Sequence, residues 1–136
     1  MLVKDIMSTN LVTVNEDDTI KKAAELMHQY DVGILPVMKS GKLIGVITDR
    51  DIVTRAVSKH YDSCSINVSE CMSKSTVCAN PEQQVKDAVK TMSAGQVRRV
   101  PVVENGNLCG ILSLADVSRN GYDAEISCAL CEISKP

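Results

Sequence analysis

Gly45-Val46-Ile47-Thr48-Asp49-Arg50-Asp51 and Gly110-Ile111-Leu112-Ser113-Leu114-Ala115-Asp116 share one form: glycine, two apolar residues, a hydroxyl residue, two variable residues and an aspartate. Working outward from these stretches, the chain is written twice. Laying Val3 on Val68 aligns residues 3–53 with 68–118 without a gap. Met7, Ser8, Val12, Asn15, Lys21, Ala23, Met27, Val32, Pro36, Val37, Gly41 and Leu43 each meet the same residue in the second copy. Elsewhere apolar meets apolar, as Ile20 with Val85 and Ala24 with Val89. That density over an ungapped stretch marks an internal duplication.

Each copy predicts the same elements. A β-leaning run, Leu11–Val14 or Thr76–Ala79, ends at an asparagine turn. Ile20, Ala23, Ala24 and Met27, and Val85, Ala88, Val89 and Met92, then recur at i, i+3, i+4, i+7, one apolar face of an amphipathic helix. Asp18 or Thr19 can cap the first of these helices. Two further apolar runs, Ile34–Met38 with Leu43–Ile47 and Val100–Val103 with Leu108–Leu112, flank Ser40-Gly41 and Asn105-Gly106, which reads as a hairpin. A second helix begins at Thr48 or Ser113. The fold class is therefore α/β (α+β), with strand-helix-strand-strand-helix in each copy. The chain divides into repeat 1 (1–57), a connector (58–67), repeat 2 (68–122) and a tail (123–136) with a helix through Ala124–Ile133. One copy is too small to cover its own apolar faces, so two copies packed in pseudo-twofold symmetry are expected to share a core.

Composition narrows the function. A net charge of −2 with scattered lysines and arginines offers no stripe for nucleic acid and no patch for a membrane surface. The first residues hold no apolar stretch long enough for a signal peptide, so a cytoplasmic setting is expected, with the six cysteines as thiols. With no Phe or Trp and only Tyr30, Tyr61 and Tyr122, a bound base must sit between aliphatic side chains.

The motif carries its own chemistry. Thr48 and Ser113 close a strand and open a helix, and Asp51 and Asp116 stand three residues on, where the helix dipole favours a carboxylate. Such a carboxylate accepts two hydrogen bonds from a vicinal diol, the group a ribose presents. Gly45 and Gly110 remove a side chain where a flat base could approach the backbone. The same Thr/Ser-x-x-Asp pattern is also a capping box, which needs no ligand, and the two roles are compatible.

Together with Pro36-Val37 and Pro101-Val102, the paired motifs resemble the cystathionine-β-synthase (CBS) domain family over nearly the whole chain, in the manner of bacterial proteins that consist only of a CBS pair. The resemblance implies a non-catalytic sensor that needs no cofactor, takes an adenine nucleotide as regulatory ligand, forms a homodimer and acts on an unknown protein target. It also implies clefts built across the repeats. One joins Thr48 and Asp51 to Thr76, Val77, Val97, Arg98, Arg99 and Pro101; the other joins Ser113 and Asp116 to Leu11, Val12, Val32, Gly33, Ile34 and Pro36. The guanidinium forks of Arg98 and Arg99 suit phosphate, so the Asp51 cleft is expected to take AMP, ADP or ATP. The Asp116 cleft lacks such charge unless Arg50 supplies it, and is expected to take an uncharged adenosyl compound or stay empty. S-adenosylmethionine or NAD as ligand, or a dimerisation module with empty clefts, are the alternatives.

Other groups carry less. Cys128 and Cys131 form a lone CxxC without a second pair or a nearby His, so zinc is not expected and a thiol redox sensor is a minor alternative. Cys71, Cys78 and Cys109 replace Ile6, Thr13 and Ile44 in the alignment and read as packing residues; Cys64 falls in the connector. His28 aligns with Ser93 and reads as solvated; His60 is the other histidine. No nucleophile–base set, glycine phosphate loop or metal cluster can be assembled.

Overall fold

The computed structural model describes residues 1–59, 61–74 and 77–136. In chain order the elements are α1 (Val3–Ile6), β1 (Val14–Asn15), α2 (Ile20–Tyr30), β2 (Ile34–Lys39), β3 (Lys42–Thr48), α3 (Asp49–Asp51), α4 (Val85–Ala94), β4 (Arg99–Glu104), β5 (Asn107–Ser113), α5 (Leu114–Ser118) and α6 (Asp123–Ile133). A π-helical stretch, Ile52–Ala56, and a 3-10 turn, Val57–Lys59, prolong α3; a second 3-10 turn spans Val68–Glu70. The chain forms two compact units, Val12–Thr76 and Met1–Leu11 with Val77–Pro136, named below the Thr48 unit and the Ser113 unit.

In the Thr48 unit, α2 starts where the Thr19 hydroxyl accepts the Lys22 N–H at 3.2 Å and stops at Asp31, in the left-handed region at φ 51°. Its Ile20, Ala23 and Met27 are buried against Leu35 and Val37 of β2 and Ile47 of β3. β2 and β3 pair antiparallel through Ser40-Gly41, whose φ values of 51° and 78° match the right-handed twist of the hairpin. β1 lies parallel to β2, Val14 beside Val37. In the Ser113 unit, α4 buries Val85, Ala88, Val89 and Met92, and β4 and β5 pair through Asn105-Gly106. Val100, Val102, Leu112 and Val117 complete that core.

Three expectations need correction. Among the described residues the expected first strands, Leu11–Val14 and Thr76–Ala79, are reduced to Val14–Asn15 in the first copy and a single bridge from Ala79 to Val102 in the second. Continuing either ladder upstream would need an N–H from Pro36 or Pro101, which proline lacks. Thr76 lies outside the described residues, as does His60. Ala24 is exposed, whereas its counterpart Val89 is 3% exposed, because α6 packs on α4 and, among the described residues, no such helix packs on α2. Cys78 is exposed rather than packed, since alternation along the strand direction turns it opposite to buried Ala79.

The edge of each unit comes from the other sequence copy. Ser8 bridges Ile111 of β5, and Ser73, its counterpart in the second copy, bridges Val46 of β3. Both bridges are doubled: Ser8 and Ile111 exchange N–H···O bonds of 2.9 Å each, Ser73 and Val46 bonds of 2.9 and 3.1 Å. The folded units are thus offset from the repeats by about one edge segment.

Cys71 is buried in the Thr48 unit, and loss of solvation pushes its thiol above the usual range. Iodoacetamide at neutral pH is expected to label the exposed Cys64, Cys128 and Cys131 well before Cys71, as read by mass mapping. The folded thiol keeps its proton to higher pH than the unfolded one, so folding stability should fall as pH rises above about 9. Cys71→Ala should remove that part of the slope in urea titrations at successive pH values.

Candidate functional site

The two motifs sit where a buried strand runs straight into a helix. Thr48 keeps an extended backbone (φ −112°, ψ 162°), as does Ser113 (φ −118°, ψ 159°), so each hydroxyl points back over the first turn. Thr48 Oγ1 accepts the Asp51 N–H at 3.1 Å, and Asp51 Oδ2 accepts the Thr48 N–H at 3.0 Å. Ser113 and Asp116 repeat the arrangement at 3.1 and 2.9 Å. The capping box is present in both copies.

The second carboxylate oxygens differ. Asp51 Oδ1 lies 3.8 Å from Arg55 Nε, too far for a hydrogen bond, and accepts none from any described residue. Arg55 spends its guanidinium on the carbonyls of Cys71 and Met72 at 3.2 and 3.1 Å, pinning the edge segment. Asp116 Oδ1 accepts a hydrogen bond from Arg119 Nη1 at 3.0 Å. The Asp51 side chain is 12% exposed and that of Asp116 17%, so both carboxylates are largely withdrawn from solvent. Sequence reasoning passed over Arg55 and Arg119. Their signal was an arginine four or three residues after an aspartate on a helix.

Each motif stands beside the second strand of its own copy. Ile34 is the β-partner of Thr48, and Arg99 that of Ser113. The Gly33 carbonyl accepts the Asp49 N–H, and the Arg98 carbonyl the Leu114 N–H, both at 3.0 Å. The Thr48 unit therefore holds Thr48, Arg50 and Asp51 together with Val12, Val32, Gly33, Ile34 and Pro36. The Ser113 unit holds Ser113 and Asp116 together with Leu11, Val77, Val97, Arg98, Arg99 and Pro101. Arg50 and Arg98 are exposed and Arg99 half-buried; Ile34, Pro36 and Pro101 are buried, and Leu11, Val12, Val32, Val77 and Val97 half-buried.

Gly45 and Gly110 have a different cause from the one expected. A β-carbon at Gly45 would collide with the Ser73 carbonyl oxygen, and one at Gly110 would lie 2.7 Å from the Ser8 oxygen and 2.8 Å from Met7 Sδ. The motif glycines make room for the edge segments. Among the described residues no group of three or more His, Cys, Asp and Glu is placed to hold a metal, and no helix is long and apolar enough to cross a membrane. A groove of about 660 Å³ between α4 and α6, rimmed by Lys86, Lys90, Glu125 and Glu132, contains none of the motif residues.

The profile of the CBS domain matches residues 3–58 and again 68–122. The chain is 42% identical over 123 residues to the CBS domain-containing protein YhcV of Bacillus subtilis (strain 168), covering 90% of this chain and 87% of that one. A conserved CBS domain protein of unknown function from Thermoplasma acidophilum, TA0289, superposes with a TM-score of 0.88 at 28% identity, over 97% of this chain and 75% of that one. The CBS domain pair of protein MJ0100, solved in complex with 5′-methylthioadenosine and S-adenosyl-L-methionine, superposes with a TM-score of 0.80 at 30% identity, over 88% and 94% of the two chains. Two motifs, two offset units and these likenesses converge: the chain belongs to the CBS-domain family and carries two CBS domains in tandem.

Proposed function

We propose that this CBS pair is a non-catalytic regulatory module that binds an adenosine-containing ligand, with Asp51 and Asp116 receiving the ribose hydroxyls. The observation that carries the reading is Asp51 Oδ1: an oxygen of a largely buried side chain, fixed in place by the cap on its sister oxygen, with an Arg55 ion pair at 3.8 Å but no hydrogen bond from a described residue. A pre-positioned anionic acceptor of this kind suits a vicinal diol. The adenosyl ligands of the MJ0100 pair support the same class. Arg50, Arg98 and Arg99 favour a phosphorylated member, AMP, ADP or ATP, over S-adenosylmethionine or NAD. The nucleotide serves as a regulatory ligand: it shifts a conformational equilibrium through different affinity for two states, and a partner protein reads the result. Val53 and Val57, 58% and 62% exposed and one helical turn apart, suit a homodimer contact.

A second reading has its own observation. Both aspartates are engaged in capping boxes, which would suffice for a dimerisation module that binds nothing. Thermal-shift measurement with AMP, ATP, S-adenosylmethionine and NAD separates the two. A ligand bound only by the native state adds about 2.7 kcal/mol at 100 times its dissociation constant, an upward shift of several degrees. The expected result is a shift with AMP or ATP that Asp51→Ala diminishes. No shift with any of the four would favour the dimerisation module.

A further inference from the structure

The duplication has diverged one residue beyond the motif helix turn. Arg119 stands where the first copy has Thr54. Thr54 turns its hydroxyl to the Arg50 carbonyl at 2.8 Å and leaves Asp51 alone. Arg119 instead lies on Asp116 Oδ1 at 3.0 Å, while Asn120 holds the Asp116 carbonyl at 2.8 Å and fixes the same turn. Each carboxylate oxygen has two lone pairs. In both motifs Oδ2 spends one on the cap; among the described residues Asp116 Oδ1 spends another on Arg119 at 3.0 Å, whereas Asp51 Oδ1 has a longer ion pair with Arg55 at 3.8 Å and no hydrogen bond.

From this we infer that Arg119 is an internal competitor for the ribose hydroxyls at Asp116, so that the two halves fill in order, Asp51 first. The inference rests on the ribose reading above and adds to it a ranking of the two motifs and the residue responsible. A diol arriving at Asp51 meets an oxygen with no hydrogen bond from a described residue and only the 3.8 Å ion pair with Arg55 beside it. At Asp116 it must share or displace a charge-assisted bond. The competing pair is solvent-facing, Arg119 being 71% exposed, so the handicap is modest and easily reversed. It sets an order of filling and leaves the second half open at higher ligand concentration.

Adenosine, which offers the diol without a phosphate, is the probe that isolates this competition. Calorimetric titration of the full chain should show one stronger and one weaker event, the stronger removed by Asp51→Ala. Arg119→Thr, which installs the first copy's residue, should tighten the weaker event about threefold to fivefold and leave the stronger one in place. Arg119→Ala should do the same, and the exposed position makes either variant safe for folding, checked by an unchanged melting temperature without ligand. If wild type binds but the weaker event is unchanged or weakened in both variants, the competitor role is overturned and the ribose reading stands. If neither wild type nor variant takes up adenosine, both fall.

Discussion

Gly45→Ala is expected to destabilise the Thr48 unit by about 3 kcal/mol, at the upper end of what overpacking a close contact costs. The added β-carbon would meet the Ser73 carbonyl oxygen, with the Ser73 carbonyl carbon 3.3 Å and Lys74 Cα 3.5 Å away. These are backbone atoms, which cannot rotate aside as a side chain would. Nor can the segment retreat cheaply. Ser73 exchanges two hydrogen bonds with Val46, and Arg55 holds the carbonyls of Cys71 and Met72. Relief requires parting the edge from β3, so hydrogen exchange at the Val46 and Ser73 amides should accelerate along with the loss of stability in urea. Gly41→Ala is the contrast. Its β-carbon meets nothing within 4 Å, and only the left-handed φ of 78° opposes it, so its cost should be about 1 kcal/mol. Protection at Val46 and Ser73 that survives Gly45→Ala would mean the glycine is not there for the edge segment.

Leu112→Ala should cost 2–5 kcal/mol, about as much as the marginal stability of many domains leaves to lose. Leu112 is 0% exposed and sits opposite Val100 in the β4–β5 ladder, within a cluster that includes Val85, Met92, Val102 and Val117. With no phenylalanine or tryptophan anywhere in the chain, that core is built mainly from Val, Leu, Ala and Met side chains already packed against one another. The truncation therefore loses both transfer free energy and the contacts around the cavity. Urea unfolding followed by circular dichroism, with hydrogen exchange over residues 85–117, is the measurement. A loss under 1 kcal/mol would contradict the packing.

Much of this molecule was legible before any coordinates. The amphipathic spacing of Val85, Ala88, Val89 and Met92 and the Asn105-Gly106 turn gave α4 and the β4–β5 hairpin directly, because both signals are local. The capping boxes at Thr48–Asp51 and Ser113–Asp116 were equally local, three residues from end to end. Ala24 was misread for the opposite reason: whether a helix face is buried depends on what lies over it, and α6 lies over α4 with no counterpart over α2 among the described residues. The short first strands turned on Pro36 and Pro101 in a neighbouring strand, a non-local veto.

By itself, then, the order of residues determined a duplicated α/β chain, its hairpins and its longer helices though not α1, and two carboxylates held at helix starts. Hydrophobic period, turn residues and capping act over a few positions and can be read along a line. Tertiary structure alone decided that the edge segments cross between copies, that Gly45 and Gly110 make room for them, and that an arginine hydrogen-bonds the second oxygen of Asp116 while the arginine beside Asp51 stays 3.8 Å away. Those outcomes depend on which backbone passes within a few ångströms of another far away in sequence, and on which of several reachable partners a long, flexible guanidinium settles upon.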